Sequence, residues 1–209
     1  MKKKQRVNIN ILDDEPIDMY DYTRDTRDLI LSDRVMIDIL NETLSGNAHV
    51  RHLSDAFRYL KLNKLVEFRR TVSKNRPIIN IKFRKTFLLH EACRLGNPEC
   101  VSLLLFLGGV CSVMDDNGYM AQHYATMSKS TVIIDILALF SNSMNVRDAK
   151  GNTPFYYALA AKDEEMLKTL MTYKANPFTP DIESSTVDAF IHDNNTNISN
   201  MLAKYIMDF

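Results

Sequence analysis

The chain has 209 residues, of which 45% are hydrophobic and 25% charged, a composition that excludes the disordered and fibrous classes. Its formal net charge is zero, so the overall charge points to no class of partner. The apolar run Leu103–Leu107 is too short to span a membrane. The lysine-rich start is not followed by the apolar core of a signal peptide. We therefore expect a protein of the cytoplasm or the nucleus, with no membrane partner.

The N-terminal region divides into a tail and a helix. Residues 1–28 are first basic, at Lys2–Lys4, then acidic, and we expect a mobile tail. Two functional interpretations stay open for this tail: a localisation signal in the basic cluster, or a docking peptide in Ile17–Tyr22. Apolar residues recur on one face of Ser32–Gly46, which predicts a helix within a capping segment spanning residues 29–53.

The rest of the chain reads as successive helix pairs. In the first pair Ser54 can cap a helix, Asn63 takes the turn and Leu65 opens the second helix; Pro77–Ile81 then runs extended. Later pairs are predicted at 122–129 with 130–140, at 154–161 with 163–173, and at 185–193 with 197–207. Pro154 suits the first turn of its helix, where the missing N–H costs nothing.

A period of 33 residues relates these pairs. The matched positions are His90, His123 and Tyr156; Ala92, Ala125 and Ala158; Asp115, Asp148 and Asp181; and Gly118 with Gly151. Self-similarity at one fixed spacing is typical of repeat architectures, in which neighbouring units bury each other's apolar faces. We therefore predict that Leu104, Leu105, Leu137, Leu170 and Met171 are buried between units.

These positions resemble the ankyrin-repeat family, whose pattern D-x-x-G-x-T-P-L-H-x-A precedes a glycine turn and a leucine-rich second helix. One repeat fits at Asp148, Gly151, Thr153, Pro154 and Ala158, with Phe155 and Tyr156 replacing Leu-His. The repeat before it fits at Asp115, Gly118, His123 and Ala125, but Met120 and Ala121 replace Thr-Pro. The first clear repeat fits at Leu89, His90, Ala92, Gly96, Leu104, Leu105 and Gly108. The resemblance covers about residues 83–181 and implies an all-α solenoid of about five helix-pair units with an N-terminal capping helix. The units would span 54–86, 87–119, 120–152, 153–185 and 186–209.

The sequence contains His, Cys and acidic residues, which commonly act in catalysis, but they are not spaced as in known catalytic or metal-binding motifs. The histidines lack a metal-binding pattern, and the resemblance implies that His90 and His123 bond the backbone between repeats. Cys93 and Cys100 are expected to pack as small apolar residues, since neither belongs to a CxxC motif. The acidic trio at 163–165 suits a helix start. We expect no enzyme, no cofactor and no metal, although an enzyme with an unfamiliar site stays open.

Charge is segregated along the chain. Residues 51–85 carry eleven basic and two acidic side chains, a net charge of +9, whereas residues 13–42 carry −7 and residues 151–209 carry −4. Three interpretations stay open: internal pairing between the acidic and basic segments, a docking patch for an acidic partner, and nucleic-acid binding. Nucleic acid is the weakest, because the basic block lacks interleaved aromatic residues suited to stacking on bases.

The resemblance implies that another protein binds to the loop tips and to the exposed ends of the first helices. Carried over by position, the partner-binding residues are Phe83, Arg84, Arg94, Leu95, Met114, Asp116, Asn117, Tyr119, Met127, Arg147, Lys150 and Asn152. A row of large apolar groups suggests an interaction site, and ordinary packing between neighbouring loops is the alternative. The expected function is a non-catalytic adaptor, inhibitor or regulatory subunit, for example of a kinase or a transcription factor.

Overall fold

A computed structural model describes residues 47–141, 143–177 and 196–207. Within them the chain is helical, with one isolated β-bridge and no strand. The helices are α1 Asn47–Lys61, α2 Leu65–Lys74, α3 Leu88–Arg94, α4 Pro98–Phe106, α5 Ala121–Met127, α6 Thr131–Phe140, α7 Pro154–Ala160, α8 Glu164–Thr172 and α9 Thr196–Met207, with a 3-10 helix at Arg76–Asn80. The all-α prediction is confirmed. The predicted tail and the helices predicted at Ser32–Gly46 and 185–193 lie outside the described residues.

The helices form two layers. The inner layer consists of α1, α3, α5 and α7, each packed on the next, and the outer layer consists of α2, α4, α6 and α8, packed in the same way. Each inner helix also packs against the outer helix that follows it in the chain. This arrangement is a solenoid, in which every unit contacts only its neighbours.

Leucines at one repeat position form the core between the units. Leu104, Leu137 and Leu170 are each 0% exposed, and Leu105 is buried beside Leu104. Met171 was also predicted to be buried, but it is half-buried, because it lies at the edge of the core beyond Leu170. Ile198 and Leu202 of α9 are buried in the same core.

Left-handed residues turn the chain from each inner helix to its outer partner. Asn63, Gly96, Lys129 and Lys162 have positive φ angles between 51° and 65° and lie 33 residues apart. Such a residue ends a helix by directing the next N–H groups back onto free carbonyls, as Asn97 N does onto Ala92 O at 3.1 Å. The prediction that Asn63 takes the turn position of Gly96 is confirmed.

Side-chain caps begin the outer helices. The side chains of Asn97, Ser130 and Asp163 each accept a hydrogen bond from a backbone N–H in the first turn of α4, α6 and α8 respectively. These caps satisfy donors that a helix start otherwise leaves unpaired.

Two local predictions for the first unit were wrong. Ser54 does not cap a helix, because α1 begins at Asn47 and places Ser54 in its interior; the predicted boundary between residues 53 and 54 falls within that helix. Pro77–Ile81 is not extended, because Arg76–Asn80 forms a 3-10 helix that buries both Ile78 and Ile79. A strand points neighbouring side chains to opposite faces, so it would bury only one of this pair.

The side chain of Asn80 ties this 3-10 helix to the next unit. Its Nδ2 donates to Gly108 O at 2.8 Å, and its Oδ1 accepts from Val110 N at 3.0 Å.

Candidate partner-binding surface

Buried aspartates hold the loop tips in shape. Asp115 Oδ1 accepts hydrogen bonds from Asn117 N at 2.9 Å and Tyr119 N at 3.1 Å, and Tyr124 OH donates to its other oxygen at 2.9 Å. Asp148 repeats this arrangement one unit later with Lys150 N, Asn152 N and Tyr157 OH. Each carboxylate therefore closes one turn and links it to the inner helix that follows.

Backbone bonds connect neighbouring tips. Asp116 N donates to Lys85 O at 2.9 Å, and Ala149 N donates to Gly118 O at 2.8 Å. Gly118 has φ +83° and approaches so closely that a Cβ atom there would lie 2.5 Å from the Ala149 Cβ. The three tips consequently form one continuous edge along the stack.

Two buried histidines tie the start of an inner helix to the loop that follows the same helix pair. Nε2 of His90 lies 3.1 Å from Val113 O, and Nε2 of His123 lies 3.0 Å from Asn152 O. A carbonyl oxygen only accepts, so each Nε2 carries the proton. Burial lowers the pKa of His90 to about 4 and also lowers the pKa of His123. Both rings are therefore neutral near pH 7, and the structural role implied by the resemblance agrees with these contacts.

The predicted aromatic anchors at the tips are partly engaged within the chain. Tyr119 is half-buried, and its ring lies 5.4 Å from that of Tyr124 and 6.0 Å from that of Tyr157. Phe83 is half-buried against Phe57, at a ring distance of 5.2 Å, with the Arg84 guanidinium 5.4 Å above it. These two rings are therefore only partly exposed at the tips.

The exposed ends of the inner helices form a row with the repeat period. Lys61, Arg94, Met127 and Ala160 lie 33 residues apart, and all four are exposed. Leu95 lies beside this row and is 39% exposed, close to the 40% of Met127. We call these five residues the inner row; it is cationic on the first two units and apolar on the next two.

Glu91 organises the cationic end of the inner row. Arg94 donates to its carboxylate through Nε and Nη2, both at 2.8 Å, and Lys61 Nζ lies 3.7 Å from Oε1. The hydrogen bond from Arg94 is the main cause that lowers the pKa of Glu91, so the carboxylate stays ionised. Arg94 was predicted to meet a partner directly, and the structure fixes its side chain on Glu91 instead of leaving it free to move.

The remaining predicted site residues divide by exposure. Exposed are Arg84, Asp116, Asn117 and Lys150, while Met114, Arg147 and Asn152 are half-buried. Together with Phe83, Arg94, Leu95, Tyr119 and Met127, they lie on the tips and on the ends of the inner helices.

The sequence prediction did not name Glu91, Lys61, Tyr124 or Tyr157. The 33-residue period relates Tyr124 to Tyr157 and Lys61 to Arg94, so the repeat itself could have indicated three of them. Glu91 carries no such signal, because its importance comes from the two cations that meet there.

The thiols are closed to nucleophilic chemistry. Cys93, Cys100 and Cys111 are free and buried. Burial raises the pKa of the Cys100 and Cys111 thiols to about 12 and that of Cys93 well above its usual value. A thiol rather than a thiolate is therefore present at neutral pH, and the thiolate is the reactive form.

Within the residues that the structure describes, no group of three or more His, Cys, Asp and Glu side chains is placed to hold a metal ion. Nor is any helix there long and apolar enough to cross a membrane.

Stacked helix pairs joined by linked hairpin tips define a helical repeat protein. Residues 89–181 match the family model described as ankyrin repeats, in three copies. This part of the chain consists of ankyrin repeats, as its sequence pattern predicted. Ankyrin repeats are generally protein–protein interaction modules.

Curated proteins similar to the chain carry the same repeats. A putative ankyrin repeat protein of Acanthamoeba polyphaga mimivirus is 25% identical over 136 residues, which is 60% of this chain and 18% of that protein. A putative ankyrin repeat-containing protein of Treponema pallidum is 30% identical over 99 residues, covering 47% of this chain and 33% of that protein. Mouse Rabankyrin-5 is 32% identical over 84 residues, covering 40% and 7% respectively. The matches span a third or less of each relative's length.

Proposed function

We propose that this chain is a non-catalytic binding module that holds another protein along the inner row and the adjoining loop tips. It acts as an adaptor, an inhibitor or a regulatory subunit in a heteromeric complex, for which a kinase or a transcription factor is a suitable partner. Its location in the cytoplasm or nucleus stays a prediction.

One observation carries the proposal: the exposed inner row. Leu95 and Met127 are large apolar side chains held at helix ends, with about two fifths of their surface exposed. Solvent-exposed apolar groups beside fixed charged groups are typical of binding surfaces. The bonds between neighbouring tips support the same proposal, because a rigid surface loses little conformational entropy when it binds.

The chemistry of the buried groups supports a binding role over a catalytic one. His90 and His123 use their Nε2 protons to bond loop carbonyls, and the three thiols are buried. Asp115 and Asp148 are occupied in closing the tips. The hydrogen bonds and the burial of these side chains therefore support a structural role for them.

The proposal is tested by comparative affinity capture from the native cell. The bait variant Leu95→Ala/Met127→Ala removes the apolar groups of the inner row. The matched control Val132→Ala removes an apolar group that is 54% exposed on the outer helix α6. Because all three side chains are exposed, we expect each bait to keep its stability within about 0.5 kcal/mol.

The expected result is a set of proteins retained by wild type and by Val132→Ala but lost from the inner-row variant. If proteins are lost from the Val132→Ala bait but retained by the inner-row variant, the binding site lies on the outer helices. Catalytic turnover by the purified chain that survives in the inner-row variant would contradict the non-catalytic assignment.

A further inference from the structure

The first unit has far more cations than its own carboxylates can neutralise. Residues 51–85 carry eleven basic and two acidic side chains. One of those acids, Asp55, is paired with Arg58 at 3.0 Å. The excess positive charge is fixed on a folded surface, which attracts a negatively charged occupant.

Part of this charge forms a stripe on α1. Arg51, Arg58 and Lys61 are exposed and are spaced seven and three residues apart, so they share one face of the helix. At the end of the stripe Lys61 and Arg94 converge on the single buried carboxylate of Glu91. Two cations opposite one anion leave a positive charge, and their side chains are 58% and 50% exposed. A second carboxylate can therefore bind there from the solvent side.

A groove with a mixed polar and apolar lining lies next to this charged pair. It has a volume of about 410 Å³. Its lining includes Leu60, Leu65 and Leu95 together with the polar side chains of Lys61, Asn63, Asn97 and Glu99. Leu62, which is 59% exposed, lies close by in the chain. The combination fits an extended segment in which apolar or aromatic side chains alternate with acidic ones.

The chain contains a segment of that chemistry. Residues 13–22 read DDEPIDMYDY, with five acidic side chains, no basic one, and apolar or aromatic groups at Ile17, Met19, Tyr20 and Tyr22. We propose that residues 13–22 bind within the same molecule to the groove and to the cationic stripe formed by Arg51, Arg58, Lys61 and Arg94. The contact itself does not rest on the proposed function, because it requires no other protein; only its regulatory consequence does.

The length of chain between the two parts allows the contact. Residues 23–46 separate the acidic segment from α1. With the predicted helix at Ser32–Gly46, which would be about 22 Å long, the nine residues 23–31 still reach about 30 Å when extended. Helix α1 has 15 residues and is about 22 Å long, so the groove at its C-terminal end is within reach. A tethered segment has an effective concentration on the order of millimolar, so even a weak contact is populated.

The contact would regulate access to the inner row. The groove includes Leu95, and the stripe ends at Arg94, both of which belong to the proposed partner-binding surface. An acidic segment bound there covers the cationic half of the row. A partner that binds the whole row must displace it, and modifications that add or remove charge in residues 13–22 would change that competition.

Zero-length carbodiimide crosslinking of the full chain tests the proposal. The reagent couples a carboxylate only to an amine with which it is in contact, and mass spectrometry identifies the pairs. We expect residues 13–22 to couple mainly to Lys61 and next to Lys64, within single chains, with a yield that does not depend on protein concentration. The yield should fall more than about threefold between about 0.05 M and 0.5 M salt, because screening weakens exposed ion pairs.

Two matched variants give the control. The first neutralises the five acids of the segment: Asp13, Asp14, Glu15, Asp18 and Asp21. The second neutralises the five acids that follow: Asp25, Asp28, Asp33, Asp38 and Glu42. We expect coupling at Lys61 from residues 1–46 to fall at least fivefold in the first variant and to change less than twofold in the second. Lys61→Arg, which keeps the charge but removes the amine, should retain coupling at Lys64.

Three results would overturn the inference. Coupling of residues 13–22 that is equally strong to Lys129 and Lys168, on other units, would show random encounters. Coupling found only between chains, rising with concentration, would assign the groove to a second copy. Coupling at Lys61 that follows the second variant rather than the first would assign the contact to residues 25–42.

Discussion

The substitution His123→Gln distinguishes a structural role of this histidine from a catalytic role. In the wild type, Nδ1 of His123 accepts from Met120 N at 3.1 Å while Nε2 donates to Asn152 O at 3.0 Å. The side chain is fully buried, so water cannot replace a lost partner. A Gln side chain cannot reproduce both bonds, because its amide group does not span the two positions of an imidazole ring.

The expected cost follows from the groups left unpaired. Each buried polar group without a partner costs about 1–3 kcal/mol, so the loss of both partners, Met120 N and Asn152 O, gives about 2–6 kcal/mol for the substitution. In a chain of this size such a loss lowers Tm by about 4–24 °C. Thermal unfolding followed by circular dichroism measures it directly, with Val132→Ala, exposed on α6, as the control that should stay within about 2 °C.

Binding supplies the second readout of the same variant. At a temperature where His123→Gln is fully folded, we expect it to bind a captured partner as the wild type does. A His123→Gln protein with unchanged Tm and abolished activity would refute the reasoning, since only a chemical role of the ring would explain it.

Three further perturbations test the fold. Leu104→Ala should cost about 2–5 kcal/mol in the free energy of unfolding, measured in urea, because its side chain is 0% exposed and leaves a cavity. Gly118→Ala should cost about 1–3 kcal/mol more than Gly108→Ala, since both have positive φ but only Gly118 would place its Cβ against Ala149. Stability should also fall as pH drops from about 6.5 towards about 4, because unfolded His90 takes up a proton in that range while burial keeps the folded ring neutral. His90→Gln should flatten this pH dependence, and an unchanged slope would show that other groups cause it.

The repeat period predicted most of the fold because it reports tertiary packing directly. Leu104, Leu137 and Leu170 recur at the one position where adjacent units meet, and Asn63 occupies the left-handed turn that Gly96 takes in the next unit. The first unit departs from the period, and both local errors fell there. The local pattern did not indicate that α1 begins as early as Asn47, nor that Ile78 and Ile79 are buried together.

The site was less predictable, because exposure depends on neighbours that a repeat motif does not specify. Tyr119 and Phe83 were predicted to bind a partner, with packing between loops as the alternative, and rings from adjacent elements cover part of each. Arg94 was also predicted to bind a partner, and Glu91, three residues earlier, accepts hydrogen bonds from two of its nitrogens. Leu95 and Met127 remained exposed, as their position at the ends of the inner helices implies.

Amide hydrogen exchange of the chain, alone and bound to a captured partner, tests most directly whether the inner row is the binding surface. We expect slower exchange in the complex at the C-terminal ends of α3 and α5 and at the tip spanning residues 114–119, with the outer helices unchanged. Protection confined to α4 and α6, with no change at those helix ends or at the tip, would contradict the account.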